Sequence, residues 1–246
     1  MQIPTRVEVV RQFEEWGKTH SLHTHGYLEW LFDETNDDFD AVKRFCEALY
    51  VFCHVFHKCL FEILANSEDE RISRDIVYNL YDEFGSGDPE HGHLELMRRL
   101  LRSLGYTNET IANISLNPGA QEFMDEIVRY SREEDSLKAI GLVCIGAECN
   151  GSEYFNRIYN AFSKKACMKG ADLYVLKIHA GDDVQHRQNM LELIDQYLET
   201  PEEREKLFEG FLASEHLFQK LWTSMAYFEG INVKQPTEST TAFNPS

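Results

Sequence analysis

Basic residues are scarce in this chain: 24 lysines and arginines stand against 42 aspartates and glutamates, so the formal net charge is −18. Nucleic acids and anionic membranes are bound by basic surfaces, and we therefore expect neither as a partner. No run approaches 18 apolar residues, so we expect no membrane-spanning helix. The first residues carry scattered charges instead of an apolar segment, which predicts a cytoplasmic protein without a signal peptide.

Strand signals are also missing, since no stretch shows sustained alternation of apolar and polar residues. The six prolines interrupt no long periodic run, and Pro89, Pro118 and Pro201 each stand where a first helical turn is expected. Helical spacing of apolar residues predominates, which predicts an all-α protein. The predicted helices cover residues 5–18, 26–32, 38–65, 68–84, 89–104, 118–132, 136–149, 152–168, 172–198 and 201–230.

No linker, repeat or low-complexity segment divides the chain before its polar end. We therefore predict a single helical domain over residues 1–232, followed by a disordered tail over residues 233–246. The six cysteines mostly fall in apolar helical runs, so we interpret them as reduced, buried thiols. They are Cys46, Cys53, Cys59, Cys144, Cys149 and Cys167.

One polar triplet stands on a helix face that is otherwise apolar. His179, Asp183 and His186 are spaced i, i+4 and i+7, which places them within about 60° of one another on a helix. Two imidazoles and a carboxylate on one face suit iron or manganese, and also zinc. The alternative is a solvated polar patch, which the neighbouring Asp182 and Gln185 would extend.

A second candidate pair lies where the helix predicted to end at residue 84 meets the next one. Glu83 continues the apolar stripe of its helix, so we expect it to face the core. His93 is followed by apolar residues at helical spacing and should also face inward, whereas His91 shares a charged face and should point to water. The alternative is a helix-terminal glutamate and a capping histidine in a loop.

Glu148 is the third candidate, because it ends an apolar stripe that contains Gly141, and Gly141 and Gly146 would let a neighbouring helix or a substrate approach closely. A buried charge is costly unless it is paired or binds a metal. The alternative is that Glu148 ends its helix in water. Three carboxylates and three imidazoles fit two Fe²⁺ ions, or Mn²⁺ in their place, better than zinc. The predicted metal ligands are Glu83, His93, Glu148, His179, Asp183 and His186.

These three segments resemble the ligand motifs of the haem-oxygenase-like diiron oxidases, a superfamily with a TenA-, PqqC- and CADD-like fold. Residues 79–93 look like the first motif of that family, and Glu148 looks like the glutamate of its central helix. The spacing His179-x3-Asp183-x2-His186 looks like its last motif. The resemblance covers about residues 20–225, and the ordered set of three motifs is more specific than any one of them.

The resemblance implies an all-α, haem-oxygenase-like bundle of about seven core helices with the metal ions between them. It also implies an enzyme that activates O₂ to oxidise a small amine, amino acid or fatty acid. One departure limits the comparison: the spacing from Glu83 to His93 is longer than in the chlamydial branch. The chemistry of that branch is therefore not carried over.

Two other cofactor arrangements are alternatives. A ferritin-like diiron bundle would use Glu-x-x-His pairs, which Glu90 and His93 match, but Glu90 lies beside a loop. A haem protein of the same fold would need an axial histidine, for which His20, His23 and His25 are available. Haem would not require inward-facing carboxylates, which argues against this alternative. The three histidines would then either line a substrate pocket or be exposed, and we expect them to be exposed.

Cysteine chemistry offers two further alternatives. A thiamin-degrading enzyme would need a cysteine nucleophile, and Cys144 lies one turn before Glu148, although a thiol in an apolar helix usually only packs. Residues 53–59 contain two cysteines and two histidines and invite a zinc site. We expect a core helix there, because the cysteines do not join the helix face that His54 and His57 share.

A non-catalytic interaction module on the same fold is the remaining class. Inward-facing ligands argue against it, because a scaffold that no longer used metal would be more stable with apolar residues at those positions. The sequence therefore predicts a non-haem diiron oxidase or oxygenase whose partners are O₂ and a small organic molecule. A homodimer is compatible with the sequence, but no feature requires one.

Overall fold

The computed structural model describes residues 20–180 and 200–233, together with Arg11, Glu15 and Lys18. Of Ser21, Ser152 and residues 148–150 it describes the backbone only. Every regular element in these ranges is helical, which confirms the all-α prediction. The predicted helix over residues 5–18 and the predicted tail fall outside the described residues, apart from a few positions, so both stay predictions.

Eleven helices are numbered here in chain order within the described ranges. They are α1 (Ser21–Thr24), α2 (Gly26–Phe32), α3 (Phe39–Asn66), α4 (Glu70–Glu83), α5 (His93–Ser103), α6 (Asn108–Ala112), α7 (Pro118–Glu133), α8 (Ser136–Ile140), α9 (Cys149–Phe162), α10 (174–180) and α11 (Pro201–Phe228). A π-helix, Gly141–Glu148, joins α8 to α9. Two short 3₁₀ turns cover Pro89–His91 and Ala166–Met168.

The two longest helices, α3 and α11, organise the bundle. The α3 helix packs against α4, α5 and α7, and α11 packs against α7, α8 and the π-helix. By length and composition alone α3 is apolar enough to cross a membrane. Many of its apolar residues, among them Phe45, Leu60 and Ile63, are buried in the protein core, whereas Phe61 is exposed.

Helix starts follow the local capping signals closely. The α7 helix begins at Pro118 after Asn117, whose side chain accepts a hydrogen bond from the backbone N–H of Ala120. The α11 helix begins at Pro201 after a capping box between Thr200 and Glu203. Both prolines therefore occupy first-turn positions, as the sequence predicts.

Three details differ from the predicted helices. The helix predicted from Pro89 is only a 3₁₀ turn at first, because Gly92 is extended and α5 starts at His93. The short α6 was not predicted; a Thr107–Thr110 capping box begins it. The predicted break after residue 149 is wrong, since α8, the π-helix and α9 run on without interruption, and Gly151 is buried inside this run.

Glycines allow α11 to lie directly on the π-helix. A Cβ at Gly141 would collide with the carbonyl oxygen of Leu207, and one at Gly210 would collide with that of Lys138. A Cβ at Gly146 would likewise collide with the side chain of Ser214. The prediction that Gly141 and Gly146 let a neighbour approach closely is therefore correct, and the neighbour is a helix.

We predict that Gly210→Ala destabilises the protein by about 1–3 kcal/mol, because the added methyl meets backbone that cannot move aside without separating the helices. Urea-induced unfolding followed by circular dichroism measures the change. Gly26→Ala is the matched control, since its Cβ would meet only the Val233 side chain, at 3.3 Å. Equal stabilities for the two variants would contradict the close packing at residue 210.

The three histidines near the start of the described chain are buried, so the expectation that they are exposed is wrong. His20 Nδ1 accepts a hydrogen bond from the Leu22 N–H, and His25 Nδ1 accepts one from the Tyr27 N–H. The other ring nitrogens of His20 and His25 pair with Ser214 and Thr223. The rings therefore cap α1 and α2 inside the bundle.

Burial, together with a smaller effect of the nearby His23, lowers the pKa of His20 to about 3. Glu215 lies 3.5 Å from His20 Nδ1, which would favour a charged ring. That nitrogen accepts the Leu22 N–H, however, which requires its lone pair, so the contact with Glu215 is not an ion pair. His20 is neutral in the folded protein.

A neutral buried histidine makes folding sensitive to acid. Between the ordinary pKa of 6.5 and the folded value of about 3, the unfolded chain binds a proton that the folded protein does not. Stability should therefore fall as the pH falls below 6.5, by up to about 1.4 kcal/mol per unit from this group. Urea unfolding between pH 7.5 and pH 5 should show a shallower dependence for His20→Asn, which keeps an acceptor for the Leu22 N–H. His216→Asn, which changes an exposed histidine, is the control and should keep the pH dependence of the wild-type stability. The same pH dependence in wild type and both variants would contradict the assignment of His20 as a neutral buried group.

Candidate metal centre

A buried carboxylate, that of Glu83, lies at the centre of the site. Its Oε2 atom is 2.8 Å from Nε2 of His57 and 2.9 Å from Nδ1 of His93. The side chains of Glu83 and His57 are each only 5% exposed, and that of His93 is 11% exposed. Two imidazoles on separate helices thus converge on one carboxylate oxygen.

The chain brings Glu83 and His93 together through a tight turn. Glu83 is the last residue of α4 and His93 is the first of α5. Between them Gly85 and Gly87 have positive φ angles of 88° and 98°, which glycine adopts without strain. A Cβ at Gly85 would collide with the carbonyl oxygen of Asp88, so the turn closes only with glycine there.

The carboxylate of Glu83 is anionic in this environment. Burial by itself raises the pKa of Glu83, but the nearby His93 ring and the His57 ring, which donates a hydrogen bond to it, hold the pKa well below its usual range. A deprotonated carboxylate is the form that binds a metal ion. The site therefore presents Glu83 ready to bind a cation.

His179 lies beside this pair on α10. Its Nδ1 is 2.7 Å from the carbonyl oxygen of Val175, so Nδ1 carries the proton and Nε2 is the atom that can bind a metal. The ring centre lies 4.3 Å from that of His93 and 4.4 Å from that of Phe155. A hydrogen bond and two ring contacts thus fix the orientation of the imidazole.

Of the six predicted ligands, the structure brings three together: Glu83, His93 and His179. Glu148 ends the π-helix, an irregularity that is frequent at functional sites, but its side chain lies outside the described part of the chain. Asp183 and His186 also lie outside the described residues. As metal ligands, all six remain predictions.

Sequence reasoning missed His57 as part of the site. It assigned residues 53–59 to a core helix, which α3 is, but His57 lies on the side of that helix that faces Glu83. Cys53 lies one turn earlier and, together with Glu83 and His93, lines an apolar cavity. The i, i+4 spacing of Cys53 and His57 was the available signal, since it puts both on one face. The expectation that the cysteines do not join the face of His57 is therefore wrong for Cys53.

An apolar cavity of about 80 Å³ adjoins the three candidate ligands. This is room for several water molecules, each of which needs at least about 10–15 Å³. Glu83, His93 and His179 form its polar part, and mainly aromatic and aliphatic side chains surround the rest. Such a cavity can hold the apolar part of a small organic molecule next to the candidate ligands.

Three buried polar atoms near this cavity have no hydrogen-bond partner among the described residues: the hydroxyl oxygens of Tyr27 and Tyr154 and Nε1 of Trp222. The ring centre of Trp222 lies 6.0 Å from that of Tyr27 and 6.2 Å from that of Tyr154. Burial raises the pKa of Tyr154 well above its ordinary value, so its hydroxyl is protonated. Tyr154 and Trp222 line the cavity, so their hydroxyl and indole N–H are able to donate hydrogen bonds to a bound molecule.

The positions of other residues disfavour the alternative sites. Glu90, which the ferritin-like arrangement would use, is exposed. Cys144 is buried and does not line the described cavity. The residues of the same helical run that do line it are Ala147, Gly151, Tyr154 and Phe155. His20 and His25 use both ring nitrogens within the fold, so neither is available as an axial haem ligand.

The residues present fit iron. Imidazole and carboxylate are ligands that iron accepts readily, and the anionic Glu83 offsets part of the charge of a divalent ion in a buried position. The orientation of His179 by a backbone carbonyl is the usual outer-shell arrangement for a metal-binding histidine. The donor set is therefore suited to Fe²⁺ within an apolar pocket.

Solved structures with the same architecture identify the fold as haem-oxygenase-like. A CADD-like protein of unknown function from Nostoc punctiforme superposes with a TM-score of 0.73 at 14% identity, covering 91% of this chain and 99% of that one. A domain of unknown function with a heme oxygenase-like fold from Shewanella denitrificans gives 0.71 at 12% identity, covering 93% and 95%. A TenA homolog from Pseudomonas syringae gives 0.71 at 12% identity, covering 92% and 94%.

The family follows from the sequence comparison. Residues 43–219, more than half of the chain, match the family described as iron-containing redox enzyme, and the protein belongs to that family. The chain is also similar to a protein from Chlamydia pneumoniae named 4-aminobenzoate synthase. The two are 24% identical over 230 residues, which are 88% of this chain and 92% of that protein.

The unpaired tyrosine hydroxyl has a consequence for stability. We predict that Tyr154→Phe leaves the free energy of unfolding unchanged or raises it by about 1 kcal/mol, because the buried hydroxyl has no hydrogen-bond partner in the part of the chain that the structure describes. Tyr106→Phe is the matched control, since that hydroxyl donates to Glu47 over 2.6 Å, and it should cost about 1–1.5 kcal/mol. Urea unfolding of metal-free protein measures both, and an equal loss in the two variants would contradict the assignment for Tyr154.

Proposed function

We propose that the protein is a non-haem diiron oxidase or oxygenase that activates O₂ to oxidise a small organic substrate. The observation that carries this proposal is the convergence of His57, His93 and His179 around the buried Glu83 carboxylate at the wall of an apolar cavity. Membership of an iron-containing redox enzyme family supports it.

The proposed ligands are Glu83, His93, Glu148, His179, Asp183 and His186. Glu83 supplies negative charge, and His93 and His179 supply neutral nitrogen donors from α5 and α10. His57 donates to Glu83 and thereby holds the carboxylate in place. The chemistry that iron supplies when bound is the reductive activation of O₂.

The remaining cavity residues bind the substrate and exclude water. Phe52, Met97 and Phe218 give the cavity an apolar wall that suits an aliphatic or aromatic body. The hydroxyl of Tyr154 and the indole N–H of Trp222 can donate hydrogen bonds to a polar atom of the substrate. Because a dry cavity keeps reactive species away from solvent, this apolar wall also limits side reactions.

The setting of the enzyme follows from the charge and the fold. The net charge of −18 disfavours nucleic acid and anionic membranes as partners, so the proposed partners are O₂ and one small molecule. We propose a cytoplasmic location and leave a homodimer as an alternative to a monomer. A second function is not favoured, because Cys144 does not line the described cavity and His20 and His25 are not available to haem.

An anaerobic Fe²⁺ titration of metal-free protein tests the proposal. Wild-type protein should bind two equivalents and then consume O₂ on mixing. His179→Ala should lose at least one equivalent, because it removes a nitrogen donor, and its helical circular dichroism should be unchanged. His91→Ala is the matched control, since that histidine is exposed and near His93 but points away from the site.

Two results would contradict the proposal. Wild-type protein that binds no iron while its helical signal is intact would refute the iron centre. Two equivalents in His179→Ala, equal to the number in His91→Ala, would refute the assignment of His179 as a ligand while leaving the family membership untouched.

A further inference from the structure

Three side chains of different chemistry lie together on the α3 side of the centre. Cys53 and His57 are one helical turn apart on α3, and Glu83 faces them from the end of α4. One potential ligand atom from each residue lies within 4.8 Å of the other two. Glu83 and His57 are buried and Cys53 is half-buried, so the group lies inside the protein and borders the cavity.

A thiolate, an imidazole and a carboxylate are ligands that zinc uses in tetrahedral sites. Ligand atoms at the usual zinc distances of about 2.0–2.3 Å lie about 3.5 Å apart. The potential ligand atoms lie within 4.8 Å of one another, and His57 Nε2 is 2.8 Å from Glu83 Oε2, so shifts of about 1 Å would bring the three to zinc-binding distances. Two ligands at i and i+4 of one helix face the same ion without a change in the backbone. The third ligand comes from a neighbouring helix that is already hydrogen-bonded to His57.

The charges also match a divalent ion. A Cys53 thiolate and the Glu83 carboxylate together carry two negative charges, which neutralise one Zn²⁺ in a buried position. Sulfur is a soft ligand and therefore favours zinc or cobalt over magnesium or calcium, which prefer oxygen ligands. The predicted iron ligands, in contrast, include no sulfur.

We propose that Cys53, His57 and Glu83 form a binding site for one soft divalent cation such as Zn²⁺, completed by one solvent molecule. On binding, the Cys53 Sγ–H bond breaks, an Sγ–metal bond forms, and the proton passes to solvent. No group is oxidised or reduced. Because Glu83 belongs both to this site and to the proposed iron centre, a bound zinc ion excludes full iron loading.

The site therefore gives soft cations a way to inhibit the iron-dependent reaction, without contacts to His93 or His179. The inference rests on the contacts of Cys53, His57 and Glu83 and not on iron being bound. Cation binding is therefore expected even if the protein binds no iron, and only the inhibition rests on the proposed function. The test below accordingly measures the site in metal-free protein.

Co²⁺ is the probe, because a cobalt–thiolate bond gives a strong near-ultraviolet charge-transfer band that oxygen and nitrogen ligands do not give. Anaerobic titration of the full metal-free chain should produce this band with one equivalent of Co²⁺, and Zn²⁺ should abolish it. Cys53→Ser and His57→Ala should lose the band and bind Zn²⁺ at least about tenfold more weakly. Cys167→Ser, which removes another half-buried thiol, should keep it.

His179→Ala separates this proposal from the iron centre. The variant should lose iron yet keep the cobalt–thiolate band, since His179 is not part of the three-residue site. Loss of the band in His179→Ala, absence of the band from wild-type protein, or its persistence in Cys53→Ser would each overturn the proposal.

A second measurement serves if Cys53→Ser does not fold. Zn²⁺ should slow the alkylation of Cys53 in wild-type protein at least about tenfold, with the modified residue identified by peptide mass spectrometry. The alkylation of Cys167 should be unaffected and provides the internal control. Equal protection of both thiols, or protection of neither, would overturn the proposal.

Discussion

The burial of one carboxylate, that of Glu83, is the constraint on which the site depends. A charge in an apolar core is costly unless it is hydrogen-bonded and paired. Here two imidazoles, from His57 on α3 and His93 on α5, meet the same oxygen atom within 2.9 Å. The fold therefore holds three helices in register at this point, and the same arrangement offers an anionic ligand surrounded by nitrogen donors to an incoming cation.

The rest of the bundle supports that arrangement from a distance. Gly141, Gly146 and Gly210 let α11 lie against the π-helix that ends at Glu148, so the helical run that carries Glu148 has little freedom to shift. The glycine turn after α4 sets where α5 begins. His20 and His25 cap the first two helices from inside the core. Close glycine contacts and buried histidine caps thus define how these helices pack against one another.

Iron and zinc make different demands on this centre. Nitrogen and oxygen donors from Glu83, His93 and His179 suit Fe²⁺, whereas the Cys53 thiol adds the soft ligand that zinc favours. Glu83 is common to both proposed sets, so the two proposals together imply that the metals compete for one carboxylate. The apolar cavity beside it borders Tyr154 and Trp222, whose polar atoms have no hydrogen-bond partner among the described residues, and it is the place where we propose that the substrate binds.

The sequence by itself determined the helical class, most helix starts and the inward direction of Glu83 and His93, because these follow from periodicity and local caps. It also singled out the close approach at Gly141. Only the tertiary structure decided that His57 faces Glu83, that His20, His23 and His25 are buried, and that the helix continues through Gly151. Local patterns specify which face of one helix is apolar, whereas the partner that a polar side chain meets depends on how separate helices pack, and packing also overrides a local break signal.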